Sequence, residues 1–236
     1  MFWNQARKYL CMKDKKLSKI IRKYDGKLES RNDPFYSLCK SIVGQQVSVA
    51  SADSVWRKLL LKCKKITPEK IYNLKIDDLK DCGFSRQKII YITELSQNFI
   101  NKKFNINKLK KMKDDEAINY LSLNKGIGRW SSEMFLLFNQ NRLNIFPIQD
   151  IGFLRAISNT YKFNYPPNQK QLTMLKKRWN PYCSVATWYM WRTVDPEIVQ
   201  YWSWKKLKYA QFVIEVLKIE KSGRKYGTLL FIAVKN

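Results

Sequence analysis

Between Arg129 and Asp195 the sequence holds two acids, Glu133 and Asp150, and nowhere in its 236 residues is there a histidine. Ser–His and Cys–His nucleophilic chemistry and histidine metal sites are therefore excluded, and catalysis falls to a carboxylate. Asp150 stands in "NIFPIQDIGFLRAI", after a proline-containing turn and before a helical apolar pattern. As a helix N-cap it would contribute roughly 0.5–2 kcal/mol. The positive end of a helix in a basic surround also favours a negative side chain there, so capping and catalysis are compatible. A short way upstream, "LSLNKGIGRWSSEMFLLFNQ" (121–140) places Gly126 at the end of one helix and Gly128 before the next. Such a corner offers the amides of Ile127, Gly128 and Arg129 at a helix N-terminus, where bare backbone can approach a phosphate. A plain helix–helix corner with a glycine cap is the structural alternative.

The elements that must position these groups read as helices. Asp33-Pro34, Thr67-Pro68, Ser85, Asp114 and Asn180-Pro181 look like start signals, since proline at a first helical position has no amide to leave unpaired. Apolar residues recur at spacings of three and four, as in Phe35, Leu38, Ile42, Val43 and Val47. No convincing alternating strand precedes residue 210, so the fold class is all-α. The tail "FVIEVLKIEKSGRKYGTLLFIAVKN" differs, with β-branched runs flanking a turn; a small C-terminal β-hairpin and a helical extension both stay open. The expected organisation is an N-terminal helical segment (1–32), a core (33–200) and a C-terminal extension (201–236).

Composition sets the class of partner. Lys and Arg number 45 against 19 Asp and Glu, a formal charge of +26. That is the footprint of a nucleic-acid binder, although AT-rich codon bias, visible in the abundance of Lys, Asn and Ile, would also produce it. No apolar run approaches the ~18 residues of a spanning helix, and the N-terminus lacks a signal-peptide core. Cys11, Cys39, Cys63, Cys82 and Cys183 are scattered, with no C-x-x-C pair. They offer no zinc or iron–sulfur site and suggest free thiols in a reducing, intracellular setting.

Read together, "KGIGRWSS" and "FPIQDIGFLRA" resemble the helix–hairpin–helix, Gly/Pro-rich loop and aspartate of the HhH-GPD DNA glycosylase superfamily, in its 3-methyladenine DNA glycosylase II branch. "SIVGQQVSVASA" (41–52), "GFSRQKIIYITELS" (83–96) and "RWNPYCSVATWYMWR" (178–192) support the match in the family's order. Ordered blocks of this kind are far more specific than a lone GIG. The resemblance implies a two-lobed helical fold with a DNA-binding cleft between the lobes, in a compact form with no room for the N-terminal sheet domain of some relatives.

Residue by residue, the resemblance implies that Gly126, Ile127 and Gly128 grip a DNA phosphate, with a potassium or sodium ion at the backbone of Gly126 and Gly128 and no metal held by side chains. Asp150 matches the catalytic aspartate. Trp130 stands where strand-cleaving relatives carry a lysine; it cannot form a Schiff base, which implies a monofunctional hydrolase. Trp191 matches a base-stacking tryptophan, and Met134, with Trp130, belongs to the base pocket. Gln46 matches the residue that wedges into the duplex. Cys183 replaces a usual arginine, removing one polar contact, and Met134 replaces a relative's tyrosine. The partner implied is double-stranded DNA containing damaged bases, such as 3-methyladenine and 7-methylguanine, met by a monomer in the cytoplasm or nucleoid with no membrane, no iron–sulfur cluster and no other cofactor. A glycosylase for neutral lesions such as uracil or hypoxanthine, or a non-catalytic DNA-binding module, stays open.

Overall fold

Helix starts follow the capping chemistry at several of the expected places. In this computed structural model, which describes residues 2–194, Asp33 accepts from the Tyr36 amide at 3.0 Å and opens α3 (Pro34–Gly44), numbering the helices in chain order. Thr67 and Ser85 likewise cap α5 (Pro68–Tyr72) and α7 (Arg86–Ile100). Two expected starts are displaced. Asp114 is the first residue of α9 (Asp114–Ser122), behind Lys113, whose amide is taken by Glu116. Asn180-Pro181 does not open a helix: α13 (Cys183–Trp191) starts beyond it, with Tyr182 at its N-cap. Lys113 has no capping oxygen, so there the acids of the first turn, favoured by the helix dipole, define the end. The expected C-terminal hairpin or extension lies outside the described residues.

Thirteen helices and no strand are found among the described residues. One group comprises α3, α4 (Val49–Cys63), α5, α6 (Ile76–Cys82), α7, α8 (Ile106–Lys111), α9 and α10 (Arg129–Phe138), which pack on one another. Its core includes Trp56, whose indole donates to the Tyr36 hydroxyl at 3.1 Å, and a ring series through Phe35, Phe99, Phe104 and Tyr120.

The second group joins the first helices to the last described ones. The helices α1 (Phe2–Lys13) and α2 (Lys15–Lys23) pack against α12 (Gln169–Trp179) and α13, and α11 (Ile151–Tyr161) packs against α13. The N-terminal helices are thus integrated with the end of the core. Two features explain this. Helix α13 is buried on every side, so it needs neighbours all round; Trp3 of α1 packs on Trp188 and Tyr189. Asp14, at the N-cap of α2, is 2 % exposed and accepts from Tyr161 Oη, Trp179 Nε1 and Arg178 Nη1 at 2.7, 3.1 and 3.2 Å. Burial would raise this carboxyl, but those donors and the Leu17 amide outweigh it and hold it below its ordinary range.

The loop between α10 and α11 forms the seam. The Asn139 amide group donates to the Arg31 carbonyl at 2.6 Å, and Ser184 at the start of α13 donates its amide to the Leu143 carbonyl at 3.0 Å. This loop delivers Asp150 to the point where the two groups meet.

Candidate active site

Asp150 caps α11 as the sequence requires: its Oδ1 accepts from the Phe153 amide at 2.6 Å. Two indoles close on the same carboxylate. Trp191 Nε1, from α13, donates to Oδ1 at 2.9 Å, and Trp130 Nε1, from α10, donates to Oδ2 at 2.9 Å. Every partner is a donor, as an ionised carboxylate needs. Oδ1 carries two of these bonds and Oδ2 one, so Oδ2 keeps acceptor capacity. The carboxylate is half-buried, with its torsion fixed from both helix groups.

Gly152 completes the arrangement, and it escaped individual notice in the sequence. A Cβ there would lie 3.3 Å from Asp150 Oδ1 and 3.7 Å from Trp191 Cδ1, crowding the bond between them. Its place in "DIGF", one residue past the cap, was the available signal.

The hairpin lies at the N-terminal end of α10, two residues before Trp130. Its two glycines differ in purpose. Gly126 has φ +80, and a Cβ on it would meet the Tyr91 side chain at 2.3 Å, so packing and backbone both require glycine. Gly128, the N-cap of α10, has an extended backbone and nothing within 4 Å of a would-be Cβ. Its bareness leaves open space before the helix's positive end, which is what an approaching phosphate needs.

The expected set of amides needs correction. Ile127 is 2 % exposed and its amide donates to the Asn124 carbonyl at 3.0 Å, so it is committed to the turn. Among the described residues the amides of Gly128 and Arg129 find no backbone acceptor, so they are the ones left to offer a ligand. An ion at the backbone of Gly126 and Gly128 would share carbonyls that already accept hydrogen bonds. The Gly126 carbonyl accepts from Gln45 Nε2 at 2.6 Å, and the Gly128 carbonyl accepts from both the amide and the hydroxyl of Ser132 at 2.9 Å.

The other expected residues fall as follows. Gln46 is exposed just past α3, with φ 54. Trp191 is 6 % exposed, and one face of its ring stacks on Phe138 at 5.8 Å. Met134 lies one turn beyond Trp130 on α10 and is 1 % exposed, so it sits beneath the site and does not stand on its rim. Cys183 is fully buried, its thiol donating to the Lys176 carbonyl and pushed up to about 12 by burial. It offers nothing polar to a ligand.

Glu133 is 2 % exposed. Its Oε1 accepts from Arg129 Nε at 3.1 Å, while Oε2 is buried without a hydrogen-bond partner. Burial pushes this carboxyl up to about 7; Arg129 opposes the rise, and the negative charges of Asp115 and Asp150 add to it. A second carboxyl that exchanges protons near neutrality therefore lies within the electrostatic reach of Asp150.

Comparison with known proteins places this geometry. A family model described as "HhH-GPD superfamily base excision DNA repair protein" matches residues 39–181. The chain is 27% identical over 198 residues to the alkylbase DNA glycosidase-like protein mag2 of Schizosaccharomyces pombe, covering 80% of this chain and 93% of that one. It is 29% identical over 218 residues to the DNA-3-methyladenine glycosylase of Saccharomyces cerevisiae, covering 84% and 73%. Among solved structures it resembles the DNA-3-methyladenine glycosidase of Bacillus halodurans, with a TM-score of 0.71, 28% identity and coverage of 80% and 89%.

Proposed function

Because the chain belongs to the HhH-GPD superfamily of base excision DNA repair proteins, we propose that it is a DNA glycosylase that hydrolyses the N-glycosidic bond of alkylated purines and leaves an abasic site. The observation that carries this reading is the carboxylate of Asp150, clamped by Trp130 and Trp191 at the seam of the fold. A non-catalytic DNA-binding module has no use for such a clamp. The named activities of the similar proteins, alkylbase and 3-methyladenine glycosylases, support the same class.

The chemistry follows from the clamp. The target nucleotide leaves the stack, and its sugar comes to Oδ2, the oxygen with acceptor capacity to spare. As the base departs with the bonding electron pair, positive charge grows on the sugar and the fixed carboxylate stabilises it without having to reorient. Water then adds to the anomeric carbon and gives up a proton to solvent. A base methylated at N3 or N7 is already cationic, and the electron pair it takes neutralises it, so no proton donor is needed. The amides of Gly128 and Arg129 hold a backbone phosphate, and Gln46 fills the gap in the duplex. Intracellular DNA is the substrate this reading requires.

Two features favour hydrolysis over strand cleavage. Trp130 occupies the place of a Schiff-base lysine, and its indole is already bonded to Asp150. The test is single-turnover digestion of a duplex containing one 7-methylguanine, with borohydride present in a parallel reaction. Base release with an intact strand, broken only by later alkali, is expected. A covalent enzyme–DNA adduct trapped by borohydride would overturn hydrolysis, and no release would overturn the glycosylase reading.

A further inference from the structure

Gln46 stands in a left-handed conformation on the short stretch between α3 and α4, and something must hold that stretch in place. The neighbouring residues do so from two sides. Gln45 sends its side chain to the hairpin, where Nε2 donates to the Gly126 carbonyl at 2.6 Å and to Ser131 Oγ, in the first turn of α10, at 3.3 Å. From α7, Lys88 Nζ donates to the carbonyls of Val43 at 2.7 Å and Gln45 at 2.8 Å. Those carbonyls belong to the end of α3, where a cation also meets the negative end of the helix dipole. Burial lowers the affinity of the Lys88 amine for its proton, so desolvation is tolerated in exchange for these bonds. The stretch carrying Gln46 thus hangs between α7 and the hairpin.

We propose that Gln45 and Lys88 are positioning residues that tie the Gln46 turn to the hairpin, so that the wedge enters the duplex at a fixed offset from the gripped phosphate. Neither side chain touches the reacting atoms. Gln45 transmits the position of the Gly126 turn, and Lys88 prevents the end of α3 from unwinding beside it. The inference rests on the reading that Gln46 enters DNA, and the experiment separates the two.

Single-turnover release of 7-methylguanine is measured for Gln46→Ala, Gln45→Leu, their double mutant, Lys88→Met and Lys88→Arg. Beside each, the fluorescence of 2-aminopurine next to an abasic-site analogue reports insertion into the stack, and thermal melting reports the fold. Losing one such hydrogen bond costs on the order of a few-fold to tenfold. Gln45→Leu and Lys88→Met are expected to slow release by about that factor and to blunt the fluorescence change with little shift in melting. Lys88→Arg should recover most of the loss. In the Gln46→Ala background, Gln45→Leu should have little further effect, because the two act through one step. If Gln46→Ala slows release while Gln45→Leu adds its full factor to it, the tie is wrong and the wedge stands. If Gln46→Ala changes neither rate nor fluorescence, both fail. Should Gln45→Leu melt markedly lower, the Lys88 pair decides: equal loss in Met and Arg would overturn the proposal.

Discussion

The Asp150 carboxylate accepts from two indoles and one amide, while the carboxyl of Glu133, on the same α10 as Trp130, has one oxygen on Arg129 and one on nothing. The two acids that the sequence left in this interval therefore have opposite environments. Glu133 has a consequence for stability. Its ordinary value of 4.5 rises to about 7 in the folded protein, a difference of on the order of 3 kcal/mol. A raised value means that the folded state holds the proton more tightly, so this contribution is complete below pH 4.5 and lost as the pH climbs through 7. Denaturant unfolding at pH 5 and pH 8 should show Glu133→Gln losing roughly 2–3 kcal/mol less than the wild type over that interval. Identical losses would mean that Glu133 is not protonated in the fold. The same group bears on substrate range. With Asp150 as the carboxylate at the site and no histidine in the sequence, cationic bases are favoured over neutral hypoxanthine, since general acid help is typically worth ~10²–10⁴ in rate. Single-turnover rates for 7-methylguanine and hypoxanthine in one duplex context should differ by more than stacking explains. Equal rates that collapse for hypoxanthine alone in Glu133→Gln would identify Glu133 as a proton source.

Helix ends carry the site. Asp150 opens α11 and Gly128 opens α10, so the carboxylate proposed for catalysis caps one helix start, and the amides proposed to meet a phosphate are left unpaired at another. The hairpin glycines give a paired prediction. Gly126→Ala forces a side chain into a left-handed backbone and into Tyr91, and should cost about 2 kcal/mol or more of stability. Gly128→Ala meets open space at an extended φ and should stay within about ±0.5 kcal/mol of wild type. It should instead weaken binding to every duplex sequence alike, because phosphate contacts position without specifying. Unfolding and binding curves on both variants check this, and a Gly128→Ala that binds normally would contradict the clamp. These ends were largely legible in the sequence. Asp150's capping position and the Gly128 start follow from local chemistry, which the chain states residue by residue. Ile127 was misjudged because its amide is consumed by a carbonyl three residues back, a detail of turn geometry with no signature in residue type. Asn180-Pro181 imitated a cap, but the helix begins only where its side chains can all be buried.

Across the molecule, long-range contacts were the illegible part. No local pattern tells that Trp130 and Trp191 meet on one carboxylate, that Trp3 and Asp14 lock the N-terminal helices onto α12 and α13, or that Lys88 braces the end of α3. The global charge was legible and makes its own prediction. At +26, log affinity for a duplex should fall linearly with log salt, with a slope set by the several phosphates neutralised. A flat salt profile would leave the charge without a role in binding. The central claim is that one fixed carboxylate at the seam does the chemistry while the hairpin does the holding. It is tested most directly by Asp150→Asn, which keeps a carbonyl oxygen for the cap, assayed on one duplex for single-turnover release of 7-methylguanine and for affinity toward an abasic-site analogue. The account predicts release reduced by several orders of magnitude with affinity close to wild type. Near-normal release from that variant would contradict it.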